Sequence, residues 1–154
     1  MDNIATPIEY ECSAFTVYGF NIRTNNRTEA DVGTAKIGQL WQRFGYEVAP
    51  KMSSQSSVYG IYTNYEADMH GEYDVWAGIT EINEHANALE KTNVPAGRYL
   101  KFSHHGEIPN VIIELWQHIW AYFTDPNCSY ERAYTADYEF YYSATHVDLF
   151  IAIK

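Results

Sequence analysis

Basic residues are scarce in this chain. Ten Lys and Arg stand against twenty Asp and Glu, a formal charge of −10 over 154 residues. A nucleic-acid partner needs a basic surface to offset its phosphates, so direct nucleic-acid binding is not expected. Cysteine is scarce as well. Cys12 and Cys128 lie far apart in neither a metal nor a redox spacing, and read as free thiols of a reducing cytoplasm. Nothing resembles a transmembrane span, and the opening MDNIATPIEY lacks the basic-then-apolar order of a secretory signal. The expected location is cytoplasmic, with no membrane partner. The glycosylation patterns at Asn26 and Asn127 therefore carry no weight. A glycine-rich phosphate loop, a nucleophile elbow and a Cys/His nucleophile pattern are all missing. No cofactor, metal or catalytic residue is expected.

Aromatic residues are abundant: 14 Tyr, 7 Phe and 4 Trp. They suit cores and binding pockets alike. The densest run is ADYEFYYS, Ala136 to Ser143, which has the composition of a strand. On a strand Asp137, Glu139 and Tyr141 share one face, and Tyr138, Phe140 and Tyr142 the other. A carboxylate among rings is poorly solvated and seeks a cation, and ring faces attract cations too. Glu139 is thus a candidate counter-charge for an organic cation. The competing reading is a solvated edge strand, or an ion pair with a basic residue of the same chain. The acidic balance favours cationic partners at long range, although it also serves solubility.

The length suits one domain with a real core. Residues 8–22 read as a strand, bent near Gly19, followed by a polar loop. Residues 31–45 read as a helix capped by Asp31, with Ile37, Leu40, Trp41 and Phe44 on its stripe and Gly45 at its end. Residues 57–64 and 73–82 form a hairpin of two strands. Residues 98–104 make a strand. Residues 108–123 make a helix with Pro109 in its first turn and a stripe of Ile112, Leu115, Trp116, Ile119 and Phe123. Strands 137–143 and 146–153 close the chain.

The order is strand–helix–strand–strand, twice. Leu40-Trp41-Gln42 matches Leu115-Trp116-Gln117. Tyr73-Asp74-Val75-Trp76 lines up with Val147-Asp148-Leu149-Phe150. These matches predict two internal repeats, about 8–83 and 94–154, with a groove between them. Within this repeat Tyr59 is expected opposite Glu139, both facing the groove.

Three stretches carry a family resemblance: VYGIYTNY with YDVWAGI, VPAGRYLKFSHHG leading into the Leu115-Trp116 helix, and the closing ADYEFYYS with VDLFIAIK. In this order, over roughly residues 5–154, the chain resembles the GyrI-like effector-binding domain. That family includes the ligand-binding halves of AraC-type and MerR-type multidrug-responsive regulators and free-standing gyrase-inhibitory-like proteins. The resemblance implies an α+β fold of duplicated β-α-β-β units with pseudo-twofold symmetry: an antiparallel sheet, two helices and a central cleft. It implies that Glu139 matches the family's buried acidic residue, which meets lipophilic cations. Tyr59, Trp76, Trp116 and Tyr141 are the candidate aromatic walls, inferred from neighbourhood. The chain has no room for a separate DNA-binding domain, so a stand-alone module without direct transcriptional control is expected.

Plain core packing competes for each aromatic wall and is favoured for Trp116, as it is for Trp41 on the first helix. Glu114 and His118, four apart on a helix, have metal-ligand spacing but no evident third ligand. His104 and His105 are adjacent on a strand and diverge. The leading expectation is non-catalytic binding of amphipathic organic cations. A small hydrolase using Glu139 to activate water is one alternative. A protein-interaction module, acting on gyrase or another partner, is a second. A homodimer through a strand edge is neither required nor excluded.

Overall fold

The computed structural model describes residues 4–81 and 89–154. It contains β1 (Ile8–Cys12), β2 (Phe15–Thr24), a single turn α1 (Asn26–Glu29), α2 (Ile37–Arg43), β3 (Val58–Thr63) and β4 (Tyr73–Ile79). The second half contains β5 (Glu90–Val94), β6 (Gly97–His105), α3 (Asn110–Thr124), β7 (Arg132–Ser143) and β8 (His146–Ile153). All eight strands join one antiparallel sheet, ordered β1-β6-β8-β7-β3-β4-β2-β5. The fold is α+β, as expected. No helix among the described residues is long and apolar enough to cross a membrane.

The strand order forces a curl. β1 lies on one edge, yet β2, two residues later, lies next to the opposite edge. Six strand spacings on a flat sheet would span ~29 Å. The three Cα steps from Cys12 to Phe15 reach ~11 Å at most. The sheet therefore bends until its edges approach. The two-residue link from β5 to β6 imposes the same condition from the other side.

Alternation along the strands then builds two cores. The helix-covered face buries Phe20, Val75, Ala77, Leu100, Phe102, Leu149 and Ile151 against Leu40 and Phe44 of the first half and Leu115 and Ile119 of α3. The other face, enclosed by the curl, buries Val17, Ile61, Trp76, Tyr99, Tyr138 and Phe150, with Cys12 and Phe15 at the closing link packed on them. Gly19 and Gly78 are opposed across β2 and β4. A Cβ on Gly19 would stand 2.0 Å from the Ala77 carbonyl oxygen, so this close approach admits no side chain.

Several elements depart from the sequence reading. Residues 8–22 are two strands, broken at Ser13-Ala14 and not bent at Gly19. The expected helix over 31–45 starts only at Ile37. Asp31 instead turns the chain, accepting from Gly33 N through its side chain and from Thr34 N and Ala35 N through its carbonyl. The cap of α2 comes from Glu29, whose carboxylate accepts from Lys36 N and Ile37 N at 3.0–3.1 Å. Gly45 does not end the helix. The chain widens into a π turn (Phe44–Val48), burying Phe44 and Val48, and then a 3-10 turn (Ala49–Lys51) containing Pro50. β5 was not foreseen, because an exposed edge strand reading EKTNV lacks apolar alternation. β7 begins five residues earlier than expected, through a register shift between Arg132 and Asp137 that includes Tyr134 at φ 55°.

Candidate functional site

β7 runs through the middle of the sheet, between β3 and β8. Its odd-numbered residues Asp137, Glu139 and Tyr141 face the helices, as alternation requires. Glu139 is 1% exposed. Its Oε2 accepts from the Tyr62 hydroxyl at 2.7 Å and from Trp116 Nε1 at 2.9 Å. Its Oε1 accepts from the Tyr141 hydroxyl at 2.5 Å. Three neutral donors thus surround one carboxylate, with no basic side chain in ion-pair contact among the described residues.

Burial raises the Glu139 pKa above the ordinary carboxylate value, against the opposing pull of the Tyr141, Trp116 and Tyr62 hydrogen bonds. Burial and then the charge of Glu139 push the Tyr62 and Tyr141 hydroxyls well upward, so both remain donors at neutral pH.

Asp137, two residues away on the same face, is handled differently. It is fully buried and pairs with the Arg132 guanidinium at 2.7 Å. It also accepts from the Tyr65 hydroxyl at 2.5 Å and from Ala152 N at 2.9 Å. The guanidinium lies 4.4 Å from the Tyr134 ring centroid and 6.0 Å from that of Trp116. The protein's own organic cation therefore occupies a setting of carboxylate and rings one step along β7.

Space for the Glu139 carboxylate comes from Gly60, its cross-strand neighbour on β3. A Cβ there would meet Glu139 Oε1 at 2.5 Å and the Trp41 ring at 3.2 Å. Trp41, half-buried on α2, rests edge-on against Tyr141 at 5.3 Å. Trp41, Trp116, Tyr62 and Tyr141 thus gather around Glu139 and Gly60 on the helix-covered face.

The structure brings together Glu139, Trp116 and Tyr141. It does not bring Tyr59 or Trp76 to them. Tyr59 pairs with Phe140, so Gly60 and not Tyr59 stands opposite Glu139. A displacement of one residue in register reverses the face. The Tyr59 ring lies in the curl, stacked on Phe140 at 5.1 Å and near Phe15 and Tyr138. Trp76 belongs to that same enclosed core, opposite Ile61. Tyr62 and Trp41 take the places those two were given. Tyr62 shares a strand face with Gly60, and Trp41 matches Trp116 in the repeated Leu-Trp-Gln, so both signals were present in the sequence. Glu114 turns to His104, 3.0 Å from its Nε2, and no group of three or more His, Cys, Asp or Glu among the described residues is arranged to hold a metal ion.

Comparison with known proteins gives concordant relationships. The family model of Cass2, the integron-associated effector binding protein, matches residues 10–153. A crystal structure of an integron cassette protein from the mobile metagenome of Vibrio cholerae superposes with a TM-score of 0.92 at 42% identity, covering 98% of this chain and 97% of that one. The structure of SAV2435 bound to tetraphenylphosphonium has a TM-score of 0.72 at 14% identity, covering 97% and 94%, a likeness of fold. The Bacillus subtilis (strain 168) protein YobU, named for a suspected role as a transcriptional regulator, is 27% identical over 150 residues, covering 88% of this chain and 90% of its own length.

Proposed function

This chain belongs to the integron-associated effector-binding protein family, and from that premise we propose that it binds lipophilic organic cations, without catalysis, at Glu139. One observation carries this reading. Two carboxylates are buried side by side on β7, and among the described residues Asp137 has its arginine while Glu139 has only neutral donors. A buried charge without a counter-ion is costly and is retained where a ligand supplies one. The tetraphenylphosphonium held by the fold neighbour is a ligand of that chemical kind. Trp116, Tyr141, Tyr62 and Trp41 are the rings a cation would meet. The ligand must part Trp41 from Tyr141 to reach the carboxylate. The same reading treats the chain as one effector-binding unit of two repeats, about 8–83 and 94–154. Its support is a strand order in which each half's outermost partner comes from the other half.

The hydrolase alternative gains nothing from this geometry. Glu139 is 1% exposed and its oxygens are engaged by Tyr62, Trp116 and Tyr141, an arrangement that holds a carboxylate in place and does not present it to water.

The test is tryptophan fluorescence titration with tetraphenylphosphonium, a rhodamine-type dye and a quaternary ammonium compound. Saturable quenching is expected. Glu139→Gln should weaken it at least tenfold, about 1.4 kcal/mol or more. Equal affinity in both proteins would remove Glu139 from the role.

A further inference from the structure

The helix-free face of the sheet carries a second cluster that the Glu139 site does not use. His105 and His146 stand directly opposite each other in the β6–β8 register. Their rings stack at 4.1 Å between centroids, tilted by 30°. Tyr142 stacks on His146 at 4.6 Å. Asp148, next but one to His146 on the same strand face, is buried at 1% exposure. Its Oδ1 accepts from the Ser103 hydroxyl at 2.5 Å and lies 3.1 Å from His146 Nε2. Its Oδ2 lies 3.9 Å from Lys101 Nζ.

This arrangement fixes a tautomer. A carboxylate oxygen accepts, so His146 Nε2 carries the proton and donates it to Asp148. The lone pair of His146 Nδ1 is then free to bind. His105 is exposed and its ring makes no hydrogen bond among the described residues. A histidine whose one nitrogen is tied to a carboxylate, with the other left open, is the arrangement that orients a metal ligand and raises its basicity.

We propose that His105 and His146 form a chelating clamp for a divalent transition cation such as Zn²⁺ or Ni²⁺, with Asp148 orienting His146. Imidazole nitrogens suit these ions, whereas Mg²⁺ requires oxygen donors. The clamp supplies two nitrogens, and solvent completes the coordination, so it differs from a cage of three or more side chains. In the stack the two in-plane lone pairs run side by side, so chelation requires the His105 ring to turn out of it, which its exposure permits. The clamp lies on the opposite face of the sheet from Glu139 and does not depend on the cation-binding proposal.

The experiment is calorimetric titration of the full chain with Zn²⁺ and Ni²⁺ in a non-chelating buffer, with Mg²⁺ as the comparison. One Zn²⁺ per chain is expected. His105→Ala and His146→Ala should each weaken it at least tenfold, while His118→Ala and Glu139→Gln leave it unchanged. Asp148→Asn should weaken it ~10–100-fold through loss of the orienting carboxylate. If that buried substitution unfolds the protein, as circular dichroism would reveal, the two histidine variants still decide the matter. Undiminished Zn²⁺ affinity in the His105→Ala/His146→Ala double variant overturns the proposal. So does the absence of saturable Zn²⁺ uptake, or Mg²⁺ uptake of equal strength.

Discussion

Glu139 and Asp137 place the same functional group in two electrostatic settings two residues apart. The Asp137 charge is met by Arg132, whereas among the described residues the Glu139 charge is met only by dipoles. Burial raises the Glu139 pKa from its ordinary 4.5. In the window between that value and the raised one, the folded protein holds a proton that the unfolded chain has released. The stability contributed by Glu139 is therefore full below the unfolded value and is lost as pH rises through the folded one. Thermal melts across about pH 4 to 8 should show the wild type losing stability with rising pH relative to Glu139→Gln. A saturating organic cation should reverse that loss. Parallel curves for the two proteins would mean that the carboxylate is not strained. At this scale the sequence was informative where one strand decided the matter. Alternation alone put Glu139 and Tyr141 on one face. It misled where two strands had to be aligned, since one residue of register separates Gly60 from Tyr59. The pairing of Arg132 with Asp137 was hidden by the register shift between them.

Among the elements, α2 is the least self-sufficient. It spans seven residues, its N-cap Lys36 has no side-chain cap, and it continues into a π turn. Helices this short are marginal without tertiary support. Its first turn depends on Glu29, which accepts from Lys36 N and Ile37 N and also from the Thr24 hydroxyl at 2.6 Å. Glu29→Ala should cost about 1 kcal/mol, the typical value of a lost cap. Amide exchange should quicken over residues 37–48 and stay unchanged in α3. Uniform quickening would show that α2 opens only with the whole domain. The contrast between these helices also explains what could be read beforehand. α3 has a sustained apolar stripe over four turns, and its expected and observed limits differ by two residues or fewer. The 31–48 segment combines an Asx turn, a remote cap and a π turn, none of which has a 3.6-residue signature. β5 is held by backbone pairing to β2 with largely polar side chains, so periodicity has nothing to report.

For the whole molecule, charge and topology matter most. A formal charge of −10 attracts cations from a distance that depends on salt. Association of a cationic dye with the protein should slow as ionic strength rises, because the Debye length shrinks from about 30 Å at 0.01 M to about 8 Å at 0.15 M. Stopped-flow mixing checks this. A rate independent of salt would confine the electrostatics to the site itself. Composition made this property plain, and the strand–helix–strand–strand order made the α+β class plain. The curl was not legible, because it follows from which strands are neighbours.

The two-residue links between β1 and β2 and between β5 and β6 have a temporal consequence. Ile8 pairs with Lys101 and Cys12 with Gly97, so β1 finds its partner only much later along the chain. β1 emerges from the ribosome well before β6 exists to receive it. Its exposed Ile8 and Tyr10 must wait in solvent until β6 has been made. Contacts so distant in sequence are the slow ones to form. β1, made before the strand it pairs with, is thus among the last elements to settle, and until then it is open to wrong pairing.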